Sequence, residues 1–301
     1  MAAFAENKAR ILRGVAGVYL ISNPQIGLQD QAVPRGLFRK SQIKPLPGDI
    51  VKFSDSGDPD IPYVIESIQA RKNVLIRPPI SNIDLLLLTA SLELPEVDYH
   101  FLDRMLAYAY KNEIDAAFVL TKADLPESEK NKERFLANYS RSQIPIFIMN
   151  PIAEIDDLNQ LKLLCKDKLA AFCGQSGVGK STLMNRILGR EVLETGVLSQ
   201  KAGRGKQTTR STEIYQTQDG YLADTPGFQS LDLERLGLEA KDLLLAFPEL
   251  MKIEDQCRFS DCHHLGEAGC AADQADISPE RLERYRDCRK RLDEIEKNPR
   301  F

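Results

Sequence analysis

Hydrophobic and polar positions change rhythm twice along the chain. Residues 10 to 77 alternate short β-rich runs (GVYLIS, GLFRK, DIVKF, YVIESI and NVLIRP) with the turn-forming stretches SNPQIG, KPLPGD and SDSGDPDIP. Five short strands in about 70 residues predict a small β-barrel, an OB-fold first and an SH3-like barrel as its competitor. The prolines of RPPISNID then disfavour both helix and central strand, and mark a boundary. Beyond it, IDLLLLTAS is a continuous apolar run, as expected of a parallel strand covered on both faces, and DYHFLDRMLAYAYKN follows with helical spacing. AAFVL, PIFIM, LAAFC and YLAD continue as strands, with ESEKNKERFLANY and STLMNRILGR as helices between them. Strands alternating with helices predict an α/β domain on a largely parallel sheet. After about residue 231 the strand pattern stops and helical segments remain, the last opening on Ser278 as cap and Pro279 in its first turn. Its mixed charges predict a solvated helix laid on a neighbour, rather than an RNA-binding helix. The domain boundaries expected are 1–78, 79–232 and 233–301.

Composition narrows the class. The chain has 301 residues, 43% hydrophobic and 28% charged, which suits a globular protein of two or three domains. No run approaches the roughly 20 apolar residues of a membrane span, and MAAFAENKARILRG lacks the apolar block of a signal peptide. A cytoplasmic monomer with no membrane partner is therefore expected. The net charge of -4 argues against a generic nucleic-acid coat protein, yet residues 1–80 carry a surplus of four basic side chains. That asymmetry would let the N-terminal part approach polyanions.

Four motifs carry chemistry. Gly174-Gln175-Ser176-Gly177-Val178-Gly179-Lys180-Ser181, with Thr182 after it, matches G-x-x-x-x-G-K-[ST] between the strand LAAFC and the helix STLMNRIL. Its glycines let backbone amides converge on phosphate oxygens, Lys180 neutralises the outer phosphates, and the Ser181 hydroxyl can ligate Mg²⁺. Asp224-Thr225-Pro226-Gly227 follows the strand YLA. Asp224 is suited to hold Mg²⁺ through water, and the Gly227 amide to sense a γ-phosphate. Thr121-Lys122-Ala123-Asp124 follows AAFVL and matches a guanine-reading box. An aspartate there accepts the N1 and N2 protons of guanine, a donor pair that adenine lacks, which selects GTP over ATP. Cys257, Cys262, His264 and Cys270 offer three thiolates and an imidazole, the donor set of a closed structural zinc site. In a reducing compartment such a cluster suggests metal rather than disulfides.

An ordinary GTPase runs phosphate loop, switch threonine, D-x-x-G, then guanine box. Here the guanine box comes first, at 121–124, then the loop, then Thr208 and Thr209, then 224–227. That is a circular permutation, which keeps the sheet and its crevice while moving the termini.

With the segment GRGKQTTR, the sequence DTPGF, a barrel before RPPISNID and the Cys/His cluster behind, the chain resembles the RsgA family of ribosome small-subunit-dependent GTPases over essentially its whole length. The resemblance implies an OB-fold that binds RNA, a circularly permuted G domain and a zinc-binding helical C-terminal domain. It further implies GTP hydrolysis to GDP, with Mg²⁺, stimulated by the small ribosomal subunit and its rRNA during late maturation. Gln207 and Thr209 are the expected catalytic residues, with Ser181, Thr209 and Asp224 as the Mg²⁺ ligands. The family's G-x-H-T-T reads Gln207-Thr208-Thr209 here, and glutamine can orient a water without taking its proton. Phe228 stands where familiar GTPases place a water-orienting glutamine, so slow intrinsic hydrolysis is expected. The competing expectation is an RNA-binding assembly module in which GTP is a structural or regulatory ligand.

Overall fold

A computed structural model of the chain describes residues 6–36, 38, 43–76, 78–150, 155–193, 212–225 and 233–297. Two compact units divide it: Met1–Leu86 with Asn159–Cys173 and Lys180–Gln229, and Leu87–Leu158 with Gly174–Gly179 and Ser230–Phe301.

The first unit opens with the barrel. β1 (Lys8–Val15), β2 (Val18–Asn23), β3 (Leu28–Pro34), β4 (Ile50–Asp55) and β5 (Tyr63–Ile68) close in the order β1-β2-β3-β5-β4. The β3–β5 pair is parallel, with Ala32 opposite Tyr63, while its neighbours are antiparallel. A parallel closure belongs to a Greek-key path of OB type and decides against a simple meander. Inward positions two residues apart fill the barrel: Ala9 and Ile11 from β1, Tyr19 and Ile21 from β2, then Ala32, Val51 and Ile65. Each such aliphatic side chain withdrawn from water is worth about 1.5–3 kcal/mol.

The expected strands and the barrel differ in two places. Lys8–Val15 and Leu28–Pro34 supply barrel strands that the apolar runs did not isolate, because outward polar positions such as Arg13 in β1 and Gln29, Asp30 and Gln31 in β3 interrupt them. NVLIRP instead gives β6 (Val74–Ile76), which pairs with β7 (Pro79–Ser81) in a separate hairpin. GLFRK lies largely outside the described residues.

The α/β portion contains β8 (Leu85–Ser91), α1 (Tyr99–Lys111), β9 (Asp115–Thr121), α2 (Ser128–Tyr139), β10 (Ile146–Ile148) and α3 (Ile155–Leu164). β11 (Leu169–Cys173), α4 (Lys180–Leu188), β12 (Glu213–Gln216) and β13 (Tyr221–Asp224) follow. Strand order is β10-β9-β8-β11-β13-β12, with β12 antiparallel to β13. Every residue of β8 is buried, which is why its sequence reads as an unbroken apolar run rather than an alternation. The Asp98 side chain accepts from the Phe101 amide at 2.9 Å and starts α1, whose Phe101, Leu102, Met105, Leu106 and Ala109 form the buried face.

In the second unit the chain continues through short helical turns to α5 (Pro279–Lys297). The Ser278 hydroxyl accepts from the Arg281 amide at 3.1 Å, the predicted cap. α5 packs Arg281, Leu282, Arg284, Tyr285, Cys288 and Leu292 inward, so it is a helix laid on its neighbours with a charged outer face. Arg281 is fully buried. It pairs with Asp103 at 2.5 Å and Glu249 at 3.1 Å, donates to the Ala246 carbonyl, and lies between the rings of Tyr139 and Phe247. Arg284 reaches the other Asp103 oxygen at 2.7 Å. Among the described residues no helix is long and apolar enough to cross a membrane.

Candidate nucleotide site and metal centre

Each nucleotide motif begins at the carboxyl end of its strand. After β11, Gly174 passes so close to β8 that a Cβ on it would sit 2.1 Å from the Thr89 carbonyl oxygen. Only glycine fits there. Gly177 and Gly179 take φ of 80° and 94°, the left-handed region where a side chain is strained and where successive amides can face one centre.

The guanine box and the phosphate loop meet inside the second unit. The buried Thr121 hydroxyl donates to the Val178 carbonyl at 2.5 Å and lies 3.2 Å from the Ala90 carbonyl. Lys122 holds a φ of 59°, and its ammonium donates to the Leu94 carbonyl. The Ala123 carbonyl accepts from Ser128 at 2.9 Å, which ties the box to the start of α2, while Asp124 is exposed. A small hollow beside the box is lined by Leu92, Ala123, Ser128, Ile148 and Asn150. Gln175 is half-buried and Ser176 exposed.

Within the first unit, Lys180 and Ser181 are half-buried at the start of α4, and Thr182 is exposed. Burial lowers the Lys180 pKa, opposed by the charges of Cys173 and Asp224. Burial raises the Asp224 pKa; Lys180 opposes that shift and Glu213 adds to it. The two groups thus sit in one partly buried electrostatic environment, each acting on the other's charge. Thr225 donates to the Phe172 carbonyl at 3.0 Å and fixes the chain just after Asp224. Asn185 binds the backbone of Val192 and Leu193 and holds the exit of α4. Gln207, Thr208, Thr209, Gly227 and Phe228 lie outside the described residues.

The metal centre is compact. The ligand atoms of Cys257, Cys262, His264 and Cys270 all lie within 4.8 Å of one another, and the cysteines are free thiols. His264 Nδ1 is 3.5, 3.7 and 3.6 Å from the three sulfurs. A tetrahedral ion with bonds of about 2.3 Å to sulfur and 2.0–2.1 Å to nitrogen needs N···S edges of about 3.5 Å, so these residues fit a metal ion through Nδ1. Burial first, then the thiols of Cys270 and Cys257, push the Cys262 pKa up to about 12, a shift that a bound cation reverses. Amides of Ala271 and Ala272 donate to the sulfurs of Cys257 and Cys270, each at 3.4 Å. Glu267 accepts from the amides of His263 and Leu265, and α5 braces the same loop through Tyr285 to the His263 carbonyl and Arg286 to the His264 carbonyl. His263 itself is exposed, outside the donor set.

Sequence patterns do not disclose Thr89, whose carbonyl excludes a side chain at position 174, nor the bracing role of Thr121. Both act through contacts between residues distant in the chain.

A guanine box, a phosphate loop and a D-x-x-G aspartate, in that order along the chain and each at the end of its own strand, define a circularly permuted P-loop GTPase. The RsgA GTPase profile matches residues 68–234 and the RsgA N-terminal domain profile residues 8–60. The small ribosomal subunit biogenesis GTPase RsgA of Bacillus velezensis is 36% identical over 301 residues, covering 98% of this chain and 99% of that one. Its counterpart in Streptococcus pyogenes is 38% identical over 282 residues, 92% of each. Among solved structures, YjeQ from Thermotoga maritima aligns with a TM-score of 0.77 at 28% identity, covering 95% of this chain and 98% of that one. YloQ, described as a circularly permuted GTPase, aligns at 0.78 and 27% over the whole of both chains. The chain belongs to the RsgA GTPase family and is a GTPase.

Proposed function

We propose that the protein hydrolyses GTP to GDP as a switch that binds the small ribosomal subunit and acts in its late maturation. The observation that carries this reading is the Thr121 hydroxyl bridging to Val178: it brings a guanine reader against a phosphate loop that lies after it in sequence. Gly174 to Thr182 take the phosphates, Lys180 neutralises their outer charge, Asp124 accepts the two guanine protons, and Lys122 and Ala123 line the base. Gly227 senses the γ-phosphate. Ser181, Thr209 and Asp224 would hold Mg²⁺, which supplies charge neutralisation between the β- and γ-phosphates. Thr209 and Gln207 orient the attacking water; without a histidine in that segment, hydrolysis is slow until a partner orders it.

The Cys₃His centre takes zinc as a structural ion, because four protein ligands leave no position for water. The barrel, with its basic surplus, is the rRNA-facing domain, and the expected divisions at 78/79 and 232/233 separate it from the G domain and the metal domain. A cytoplasmic monomer fits this work. GTP turnover measured with and without purified small subunits, for the wild type and Gln207→His, tests the reading. Stimulation by subunits and a faster Gln207→His enzyme support it; GTP bound but never turned over favours a regulatory ligand in an assembly module.

A further inference from the structure

Among the described residues, Ser22, Arg10 and Arg13 of the barrel reach the strand pair that carries Asp224, all within the first unit. Ser22 donates to Gln216 at 2.9 Å, and the buried Arg10 guanidinium lies 4.8 Å from the Tyr221 ring centre. Gln216 and Tyr221 face each other across the β12–β13 pair, so these two contacts clamp one end of it. The third contact is at the other end: Arg13 pairs with Glu213 at 3.0 Å, their side chains 52% and 35% exposed. Glu213 is the cross-strand partner of Asp224. Directly opposed residues place their side chains on one face with Cβ atoms about 5 Å apart. The second Glu213 oxygen accepts from the Tyr215 hydroxyl at 3.0 Å, so the carboxylate is held between a barrel arginine and its own strand.

The placing of Arg13 is specific. Ala9 and Ile11 point into the barrel, and simple alternation would send position 13 inward after them. The β1–β2 register shifts between Ile11 and Arg13, and that bulge turns Arg13 outward toward Glu213.

We propose that Arg13 and Glu213 form an electrostatic latch through which the barrel sets the field at Asp224, and that an RNA phosphate backbone opens it by competing for Arg13. The latch rests on the GTPase reading above. Closed, it cancels the Glu213 charge beside Asp224. Open, it leaves two carboxylates side by side, a stronger attraction for a divalent cation. A half-exposed ion pair is weak enough for phosphates to displace, and the Ser22 and Arg10 contacts hold the barrel in place when it opens. Arg13 is thus a positioning residue that acts through Glu213.

The test is the Mg²⁺ concentration for half-maximal binding of a fluorescent, non-hydrolysable GTP analogue, read in wild type, Arg13→Gln, Glu213→Gln and the double variant. Arg13→Gln should lower it by about two- to fivefold, and Arg13→Lys should restore the wild-type value. In the Glu213→Gln background the Arg13 change should have no effect, since the group it acts through is gone. Poly(U) RNA should move the wild type toward the Arg13→Gln value and leave Arg13→Gln unmoved. An equal Arg13 effect in both backgrounds, or none in either, overturns the latch; a wild type indifferent to RNA overturns its opening by phosphate. A wild type that binds the analogue at no Mg²⁺ concentration overturns the GTPase reading and the latch with it.

Discussion

At the scale of residues, guanine recognition depends on an exposed carboxylate held by buried neighbours. Asp124 itself makes few demands on the fold; Thr121 and Ser128 fix the turn that presents it. Asp124→Asn should therefore leave the fold intact while exchanging an acceptor for a donor. Two charge-assisted hydrogen bonds to guanine are lost, so GTP affinity should fall on the order of a hundredfold while xanthosine triphosphate gains. Competition against a fluorescent GTP analogue measures this, and an unchanged GTP affinity removes the box from the site.

At the scale of elements, α5 is joined to α1 and to the short helix Pro248–Met251 by a buried charge cluster. Arg281→Met fills similar space but leaves Asp103 and Glu249 buried without the Arg281 guanidinium, a change that should cost about 3–5 kcal/mol. Urea unfolding checks it; a loss below about 1 kcal/mol would show that these carboxylates find water. The metal loop is the second dependent element. Its described backbone forms short turns rather than strands, and its few buried positions include His264, so the ion supplies much of its stability. Purified protein should carry about one zinc ion per chain by elemental analysis, and Cys262→Ser should lose it and melt earlier. Because the Cys262 thiol is held protonated to about 12 without an ion, protons compete with the metal, and zinc affinity should fall as pH falls.

These elements also show what a sequence discloses. β8 was legible because burial on both faces leaves an unbroken apolar run, and the phosphate loop because its glycines answer to backbone geometry. The gathering of Cys257, Cys262, His264 and Cys270 was legible because few other arrangements use three thiols and an imidazole so closely spaced. β1 and β3 were obscured by outward polar positions. Arg281 is, in sequence, one of many charges on a helix whose pattern predicts solvation, since nothing local distinguishes a buried arginine from an exposed one; its partners lie 178 and 32 residues away. The Arg13 latch was hidden for the same reason, with Glu213 200 residues away and the bulge visible only once β1 has a partner.

At the scale of the whole molecule, the rotated motif order changes what the nucleotide motifs are covalently joined to. The loop Gly174–Gly179 and the guanine box belong to the unit that carries the metal centre, while Lys180 and Asp224 belong to the unit that carries the barrel. D-x-x-G leads directly into the C-terminal segment instead of into the rest of the sheet. In the proposed switch, GTP is the signal for gripping the small subunit. Co-sedimentation of the wild-type chain with purified small subunits, in the presence of a non-hydrolysable GTP analogue or of GDP, tests that claim most directly. The chain should be recovered with the subunits in the analogue and substantially less in GDP; equal recovery with either nucleotide would show that nucleotide state does not set the grip.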